Sequence, residues 1–359
     1  SARNDINSAY LPQDNSFFTY SAGGSVLLHN LFEKNNVLTF AKVRAGFAKI
    51  ASDLGALSTN PAYTYANTAF QIGTNTTNYV AAWQPIGAVN AVLKPSINEN
   101  FEVGLDLKFL NNRLSFSGTY YNEKRKDEPI PVTLPASSGY TNVFANSGEV
   151  KREGVELSLS GDVFKSGDFT WTTSLNFAKN KTTILKVADG TEAINFGSAD
   201  DYEKVNVTQI AGQEWGQLIG TGYKYDANGN KIIDVDPVLG TVTYALETNK
   251  SFGSVLPDFT GGFYNTFTYK GFSLSAAIDF QKGGKFFSLG EMWADYSGLT
   301  PKTTANGIRE NGVRVVGVNS ADGSAVDELV EAQTYFGQFY SNSLIEDYIH
   351  DASYIKLRE

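Results

Sequence analysis

The sequence predicts an all-β fold, namely a transmembrane antiparallel β-barrel with long extracellular loops. Three observations support this prediction: long segments alternate apolar and polar residues, short and long connections alternate between these segments, and aromatic residues gather near the short connections. Successive side chains of a β-strand point to opposite faces, so each alternating segment has one apolar and one polar face. A barrel wall between lipid and water needs such faces.

The clearest alternation lies in the predicted hairpin 99–122. Every odd position from Phe101 to Phe109 is apolar, and every even position from Asn100 to Lys108 is polar or glycine. An Asn-Asn pair then forms the turn, and the alternation resumes after it. Strands of about 10 residues match the length that a tilted strand needs to cross a bilayer.

The same pattern predicts nine long strands and two kinds of connection. The strands are 17–28, 37–50, 99–110, 113–125, 148–160, 168–180, 258–269, 272–285 and 348–359. The short connections are 29–36, 111–112, 161–167 and 270–271, and the long ones are 51–98, 126–147, 181–257 and 286–347. Outer-membrane barrels have tight periplasmic turns and long extracellular loops, so this order favours a barrel.

Aromatic residues lie where an interfacial girdle is expected. Phe109, Phe169, Trp171, Tyr269 and Phe272 are all within a few residues of a short turn. Membrane barrels carry aromatic girdles at both interfaces. The alternative is that these rings form the core of a soluble β-sandwich.

Composition excludes several other classes. The 29 Lys+Arg and 38 Asp+Glu give a net charge of −9, which argues against nucleic-acid binding. The absence of cysteine excludes disulfides and thiolate metal sites. No stretch reaches the roughly 18 apolar residues of a transmembrane helix, which excludes a helical membrane protein.

No constellation indicates catalysis. Glu102 and Asp106 share a strand face but lie about 13 Å apart, too far for a glycosidase pair. The only histidines, His29 and His350, have no spacing typical of a zinc site or a triad. The chain is therefore predicted not to be an enzyme.

Three tryptophans are candidates for substrate binding. Trp83, Trp215 and Trp293 all fall in predicted extracellular loops. Exposed aromatic rings can stack on sugar rings or peptide side chains. The alternative, which the pattern favours for each ring separately, is packing of a compact loop against its neighbour.

One loop segment has partial calcium-site spacing. Asp226, Asn228 and Asn230 match the first three ligands of a calcium loop, and Asp234 offers a further oxygen. Lys231 stands where the loop needs glycine, and the glutamate of the twelfth position is missing. A plain hairpin with an Asn-Gly tip is the favoured interpretation, a structural calcium the alternative, and no cofactor is otherwise predicted.

An ordered set of short sequence segments resembles the barrel of the SusC/RagA family of TonB-dependent outer-membrane transporters. No single segment is decisive, but the set spans essentially the whole chain. The segments are 93–95, 98–106, 111–114, 138–140, 146–150, 153–157, 253–262, 269–272 and 351–359, with 2–5 and 42–45 resembling earlier strands of the family.

The resemblance implies a barrel of about 22 strands around a plug, set in outer-membrane lipid. It also implies a SusD-like surface lipoprotein as partner and import of an oligosaccharide or oligopeptide driven by the TonB complex. Residues 1–359 are then expected to form part of the barrel, with the plug, the TonB contact and the last strands elsewhere in a longer protein. The alternatives are a passive outer-membrane porin or, less favoured, a soluble β-rich glycan-binding module.

Overall fold

The structure is a computed structural model of the chain. It describes residues 1–8, 10–31, 36–52, 64–65, 82–83, 87–88, 90, 93–140, 142–188, 190–198, 205–341 and 344–359. None of the helices in these ranges combines the length and the apolar character that a membrane crossing requires.

The described residues form mostly β-strands, with a few short helices late in the chain. The strands are β1 (Ala2–Ile6), β2 (Ser16–Leu27), β3 (Leu38–Ser52), β4 (Thr64–Tyr65), β5 (Ala82–Trp83), β6 (Gly87–Ala88), β7 (Ser96–Phe109), β8 (Leu114–Thr133), β9 (Asn142–Ser166), β10 (Phe169–Lys186), β11 (Ala193–Ser198), β12 (Asn206–Ile210), β13 (Gln217–Tyr223), β14 (Ile232–Val235), β15 (Val242–Tyr244), β16 (Leu246–Ser254), β17 (Phe259–Tyr269), β18 (Phe272–Lys282), β19 (Lys285–Phe287), β20 (Val313–Asn319), β21 (Ala325–Val330), β22 (Ile349–Asp351) and β23 (Tyr354–Leu357). The α-helices are α1 (Leu289–Tyr296), α2 (Ile308–Asn311) and α3 (Ala332–Ser341), and single 3-10 turns occur at Leu28–Asn30, Ala136–Ser138, Pro301–Thr303, Ala305–Gly307 and Glu346–Tyr348.

One large antiparallel sheet forms a wall. Its strand order is β1-β2-β3-β7-β8-β9-β10-β17-β18-β23, and β6 adds a short parallel pairing to β9. Neighbours in the sheet are neighbours in the sequence of long strands, so the wall is an up-and-down meander. The predicted barrel fold is confirmed at the level of these strands, and their pairing order leaves an open sheet that covers part of a barrel.

The strand register aligns the apolar faces into one continuous outward surface. Directly opposite residues of paired strands point to the same side. One row runs across seven strands of the wall: Leu107, Phe116, Leu159, Leu175, Phe263, Ile278 and Leu357. Phe101, Leu274 and Phe272 on this face are 46%, 68% and 81% exposed, so no second sheet of the described residues covers them.

The other face of the wall is polar and concave. Arg44 of β3 and Asp279 of β18 border one hollow of about 640 Å³, although five strands separate them in the sheet. Side chains so far apart in strand order meet one hollow only when the sheet curves around it. The even-numbered polar residues of 100–108 and 170–176 therefore face the inside of the curve, as predicted.

Several predicted strand boundaries are wrong. β1 is absent from the nine predicted strands, β8 extends to Thr133, and β9 begins at Asn142, so the predicted loop 126–147 shrinks to residues 134–141. Register shifts next to Arg125 and Glu128, with a positive φ at Asp127, break the alternation in this stretch. A bulge interrupts the two-residue period without ending the strand.

Corrections of the same kind apply elsewhere. The connection predicted at 161–167 is a two-residue turn at Gly167-Asp168, because β9 continues past a register shift opposite Trp171. The predicted strand 348–359 divides into β22, which pairs with β19, and β23, which pairs with β18. Most of the predicted loop 51–98 lies outside the described residues.

The long predicted loops 181–257 and 286–347 contain folded structure. The loops contain a four-stranded sheet β11-β12-β13-β16 and a second sheet β15-β14-β20-β21, and residues of both sheets share a core with α1 and α3. We call the described residues of 193–254 and 285–351 the loop module. Ten buried residues form its main core: Tyr223, Ile233, Tyr244, Met292, Val315, Val326, Ala332, Phe336, Leu344 and Tyr348.

Candidate functional site

Polar side chains on the concave face form a connected network toward the short-turn end of the wall. Asp106 accepts a hydrogen bond from Ser117 at 2.7 Å, and its carboxylate lies 3.8 Å from Lys42 Nζ and 3.7 Å from Arg44 Nε. Arg44 also donates to Thr119 Oγ1. These side chains come from three neighbouring strands whose register places them side by side. The concave face is therefore a hydrogen-bonding surface with adjacent opposite charges.

A glycine lets the Arg44 side chain lie flat on this surface. Gly104 is the register partner of Arg44, and a Cβ at Gly104 would stand 2.5 Å from Arg44 Cζ. No real side chain tolerates such a contact, so the guanidinium occupies the space that a side chain would fill. The guanidinium therefore lies along the wall and within reach of Asp106.

A second charged group lies nearer the module end of the same face. Glu123 lies 3.8 Å from Arg152 and 3.7 Å from Arg125, and Arg125 lies 3.5 Å from Glu128. Asn98 Nδ2 also donates to Glu123 at 2.7 Å. Two arginines and two glutamates thus neutralise each other where the wall meets the loop module.

One carboxylate connects two strands of the module and the turn that follows the first of them. Glu346 accepts hydrogen bonds from the backbone N–H of Tyr223 at 2.8 Å, from Tyr225 Oη at 2.8 Å and from Lys250 Nζ at 2.9 Å. A Cβ at Gly222 would lie 2.4 Å from Glu346 Oε2, so only glycine allows this close approach. The contact joins β13 and β16 to a segment more than 90 residues further along the chain.

The electrostatics of this cluster follow from burial. Burial raises the pKa of the Tyr223 hydroxyl, and the Asp347 carboxylate, which accepts its hydrogen bond at 2.6 Å, raises it further. Burial also lowers the pKa of Lys231, against the opposing influence of Asp347. Lys231 Nζ lies 3.2 Å from the centroid of the Tyr223 ring, a cation–π contact. These shifts accompany a close-packed cluster that holds the module together.

Replacing Glu346 with glutamine is expected to loosen the module. The change removes a charge that three donors share and leaves half-buried Lys250 without its counter-ion, at a cost of about 1–3 kcal/mol. Protease cleavage within the module of the full-length receptor should become faster. The same substitution at exposed Glu247, on the strand that carries Lys250, should leave the cleavage rate unchanged. Equal rates for both variants would contradict the assigned role.

A buried aspartate forms a second cluster that sequence reasoning missed. Asp295 on α1 is 1% exposed, and its carboxylate accepts from Thr300 Oγ1, from Lys302 Nζ at 2.9 Å and from Tyr348 Oη at 3.2 Å. Two of its partners, Thr300 and Lys302, follow within seven residues, so this part of the cluster could have been recognised from the local sequence. The Tyr348 contact, 53 residues away, requires the tertiary fold.

The three predicted tryptophans lie on different elements. Trp215 lines a cavity between the loop module and the wall, and its backbone N–H donates to the Thr182 carbonyl at 2.8 Å. Trp293 lies on α1, half-buried, with its ring edge-to-face with Tyr296 at 5.6 Å. Trp83 lies in β5, paired with Thr64, and its side chain is outside the described part. Substrate contact by these residues stays a prediction.

The candidate calcium residues form a hairpin tip. Asp226 Oδ1 accepts from the backbone N–H groups of Asn228 and Asn230 at 2.8 Å each, and its Oδ2 accepts from Asn230 Nδ2 at 3.0 Å. These bonds occupy both carboxylate oxygens and hold the pKa of Asp226 below its usual range. Asp234 lies in β14. These bonds are those of a hairpin tip, and no cluster of three acidic or histidine side chains occurs within the described ranges. A structural calcium at this tip stays a prediction.

The outward apolar surface, its aromatic margins and the polar concave face together define a class. Trp171 stacks on Phe267 at 5.7 Å near the short turns, and Tyr20 contacts Phe47 at 6.0 Å toward the opposite end. A meander with one lipid-compatible face, one polar face and two aromatic margins is part of an outer-membrane β-barrel.

The comparisons with known proteins identify the family. The family of TonB dependent receptor-like β-barrels matches residues 1–306, and the chain belongs to this family. It is 30% identical to TonB-dependent receptor P3 of Formosa agariphila over 55% of the chain and 22% of that protein. It is 26% identical to TonB-dependent receptor SusC of Bacteroides thetaiotaomicron over 63% of the chain and 23% of that protein.

Solved structures share the same fold. The RagAB peptide importer in its closed-closed state matches 99% of the chain and 38% of its own chain, with a TM-score of 0.72 and 22% identity. The chain therefore spans less than two-fifths of the length of each of these proteins. The predicted SusC/RagA resemblance and the outer-membrane location are confirmed.

Proposed function

We propose that the protein imports a large nutrient, an oligosaccharide or an oligopeptide, across the outer membrane as the barrel portion of a TonB-dependent transporter. The observation that carries this proposal is the polar concave face with a folded module at one end. A channel that only separates lipid from water needs no packed module above its polar face. The module supplies a surface at the outer mouth that can select a ligand before it enters.

The proposed partners are a SusD-like surface lipoprotein and the TonB complex. Membership of the TonB-dependent receptor family and similarity to SusC support both partners. RagAB is described as a peptide importer, which supports a peptide as one of the two substrate classes. The protein's role is transport rather than bond chemistry, since the polar groups of the concave face are tied to each other by the ion pairs described above.

Energy dependence separates this proposal from a passive porin. A strain that lacks the receptor is complemented with the full-length protein and grown on oligosaccharides and on oligopeptides as sole nutrient. We expect receptor-dependent growth on one class, and we expect it to stop when TonB is depleted. Growth that continues without TonB would indicate a passive porin and would contradict the proposal.

A further inference from the structure

A cavity lies between the polar face of the wall and the four-stranded sheet of the loop module. Its volume is about 220 Å³, and its lining comes from β8, β9 and β10 on one side and from β11, β12 and Trp215 on the other. An apolar cavity of about 150 Å³ holds a benzene molecule. This cavity is therefore large enough for one amino-acid side chain with part of its backbone.

Backbone hydrogen bonds fix the two sides of the cavity relative to each other. Ile184 N–H donates to the Gln213 carbonyl at 2.9 Å, Gly212 N–H donates to the Ile184 carbonyl at 2.7 Å, and Trp215 N–H donates to the Thr182 carbonyl at 2.8 Å. These bonds extend the β10 ladder onto the turn that precedes β13. The cavity is thus a pre-formed space, which reduces the conformational cost of binding.

Gln209 places an unpartnered donor at the cavity. Its side chain lines the space and is 6% exposed, and its Oε1 accepts from the Gly216 backbone N–H at 3.4 Å. Its Nε2 is buried and has no hydrogen-bond partner among the described residues. A buried amide N–H without a partner is destabilising, and native proteins rarely retain one unless something else accepts from it.

A carboxylate oxygen that accepts no hydrogen bond lines the same cavity. Glu128 Oε2 is buried without a hydrogen bond and lies 3.5 Å from Arg125 Nη1, an ion-pair distance. The cavity therefore offers one unpartnered donor and one carboxylate oxygen that is ion-paired with Arg125 but accepts no hydrogen bond. A peptide group, with one carbonyl and one N–H, has the matching pair.

The remaining lining favours an uncharged apolar group. Ile130, Val150, Ile184 and Ile194 supply aliphatic walls beside Trp215. The arginines and glutamates at the margin already pair with each other, and Lys186 is the remaining charged residue of the lining. A sugar ring would bury several hydroxyls against these aliphatic walls without partners, which is unfavourable.

We propose that this cavity binds an uncharged apolar side chain of an oligopeptide, whose backbone carbonyl accepts from Gln209 Nε2 and whose N–H donates to Glu128. The inference rests on the proposed import function, because the ligand must reach the concave face. It narrows the two substrate classes to peptides. The recognised unit is one apolar residue within a longer chain.

In the test, N-acetyl-leucinamide is titrated into the purified full-length receptor in detergent. Glucose is titrated separately as the comparison ligand for the oligosaccharide class. We expect the probe to bind wild-type receptor at millimolar concentration and glucose not to bind in the cavity. Gln209→Leu should weaken binding about fivefold to tenfold, the effect of losing one hydrogen bond. Ile184→Trp should abolish binding by filling the space.

Gln213→Leu is the matched control, because the same change falls on an exposed glutamine of the adjoining turn whose carbonyl bond to β10 it preserves. Heat-modified electrophoretic mobility shows that each variant is folded. The proposal is overturned if wild-type receptor does not bind the probe, if Gln209→Leu binds it as well as Gln213→Leu, or if glucose binds with the same sensitivity to the variants. TonB-independent growth would overturn the proposed function without altering these titrations, so the two failures are distinguishable.

Discussion

Replacing Leu159 with arginine is expected to destabilise the barrel by about 2–4 kcal/mol. Leu159 lies on the outward face in the row between Phe116 and Leu175, remote from both aromatic margins. An arginine there enters the hydrocarbon region, where its charge cannot be solvated without distorting the bilayer. The measurement is the urea concentration at which half of the full-length receptor in lipid vesicles is unfolded. Heat-modified electrophoretic mobility reports the folded fraction.

Ser158→Arg is the control, since Ser158 precedes Leu159 on the same strand and points to the concave face. Ser158 lies opposite Ser117 and borders the hollow on the concave face, so a new arginine there meets water and polar side chains. We expect its midpoint to stay close to that of the wild type. Similar losses for both variants would show that the two faces of β9 do not differ in their surroundings, and the membrane orientation of the wall would be wrong.

Replacing Ile233 with alanine is expected to cost about 2–5 kcal/mol of module stability. Ile233 is fully buried at the centre of the module core, and a Cβ at Gly317 would lie 2.8 Å from its Cδ1. The surrounding backbone is therefore packed too closely to hold extra atoms, and loss of the side chain leaves a cavity. The module should become sensitive to protease while the barrel keeps its heat-modified mobility.

Val238→Ala is the matched control for this variant. Val238 lies in the turn between β14, which carries Ile233, and β15. It is 88% exposed, so its truncation removes little packing. We expect protease resistance like that of the wild type. If Ile233→Ala instead unfolds the barrel as well, the module and the wall form one cooperative unit rather than two.

The two-residue period predicted the wall because each face meets a different solvent. Phe101, Val103, Leu105 and Leu107 alternate with polar residues, and the structure pairs them in the register that such alternation requires. Prediction failed where a bulge or a proline interrupts the period. The last residues of β8, with Pro129 and Pro131, belong to the sheet although their sequence is typical of a loop.

The loop module could not be predicted from local patterns. Its core brings together Tyr223, Ile233, Met292 and Tyr348, which come from separate stretches without a shared period. Short strands and helices of this kind depend on contacts between distant segments. The sequence did identify the Asn-Gly hairpin, because turn chemistry is local, and it singled out Trp215 without indicating the cavity beside it.

The absence of a side chain at Gly104 affects the electrostatic potential that a solute meets as it permeates along the concave face. Because position 104 has no side chain, the Arg44 guanidinium lies over the backbone and 3.7 Å from the Asp106 carboxylate, which it shares with Lys42. Any larger residue at position 104 would displace that cation from its present place. A permeating anion would then meet a different potential at this depth, and selectivity would change although no charge had been added.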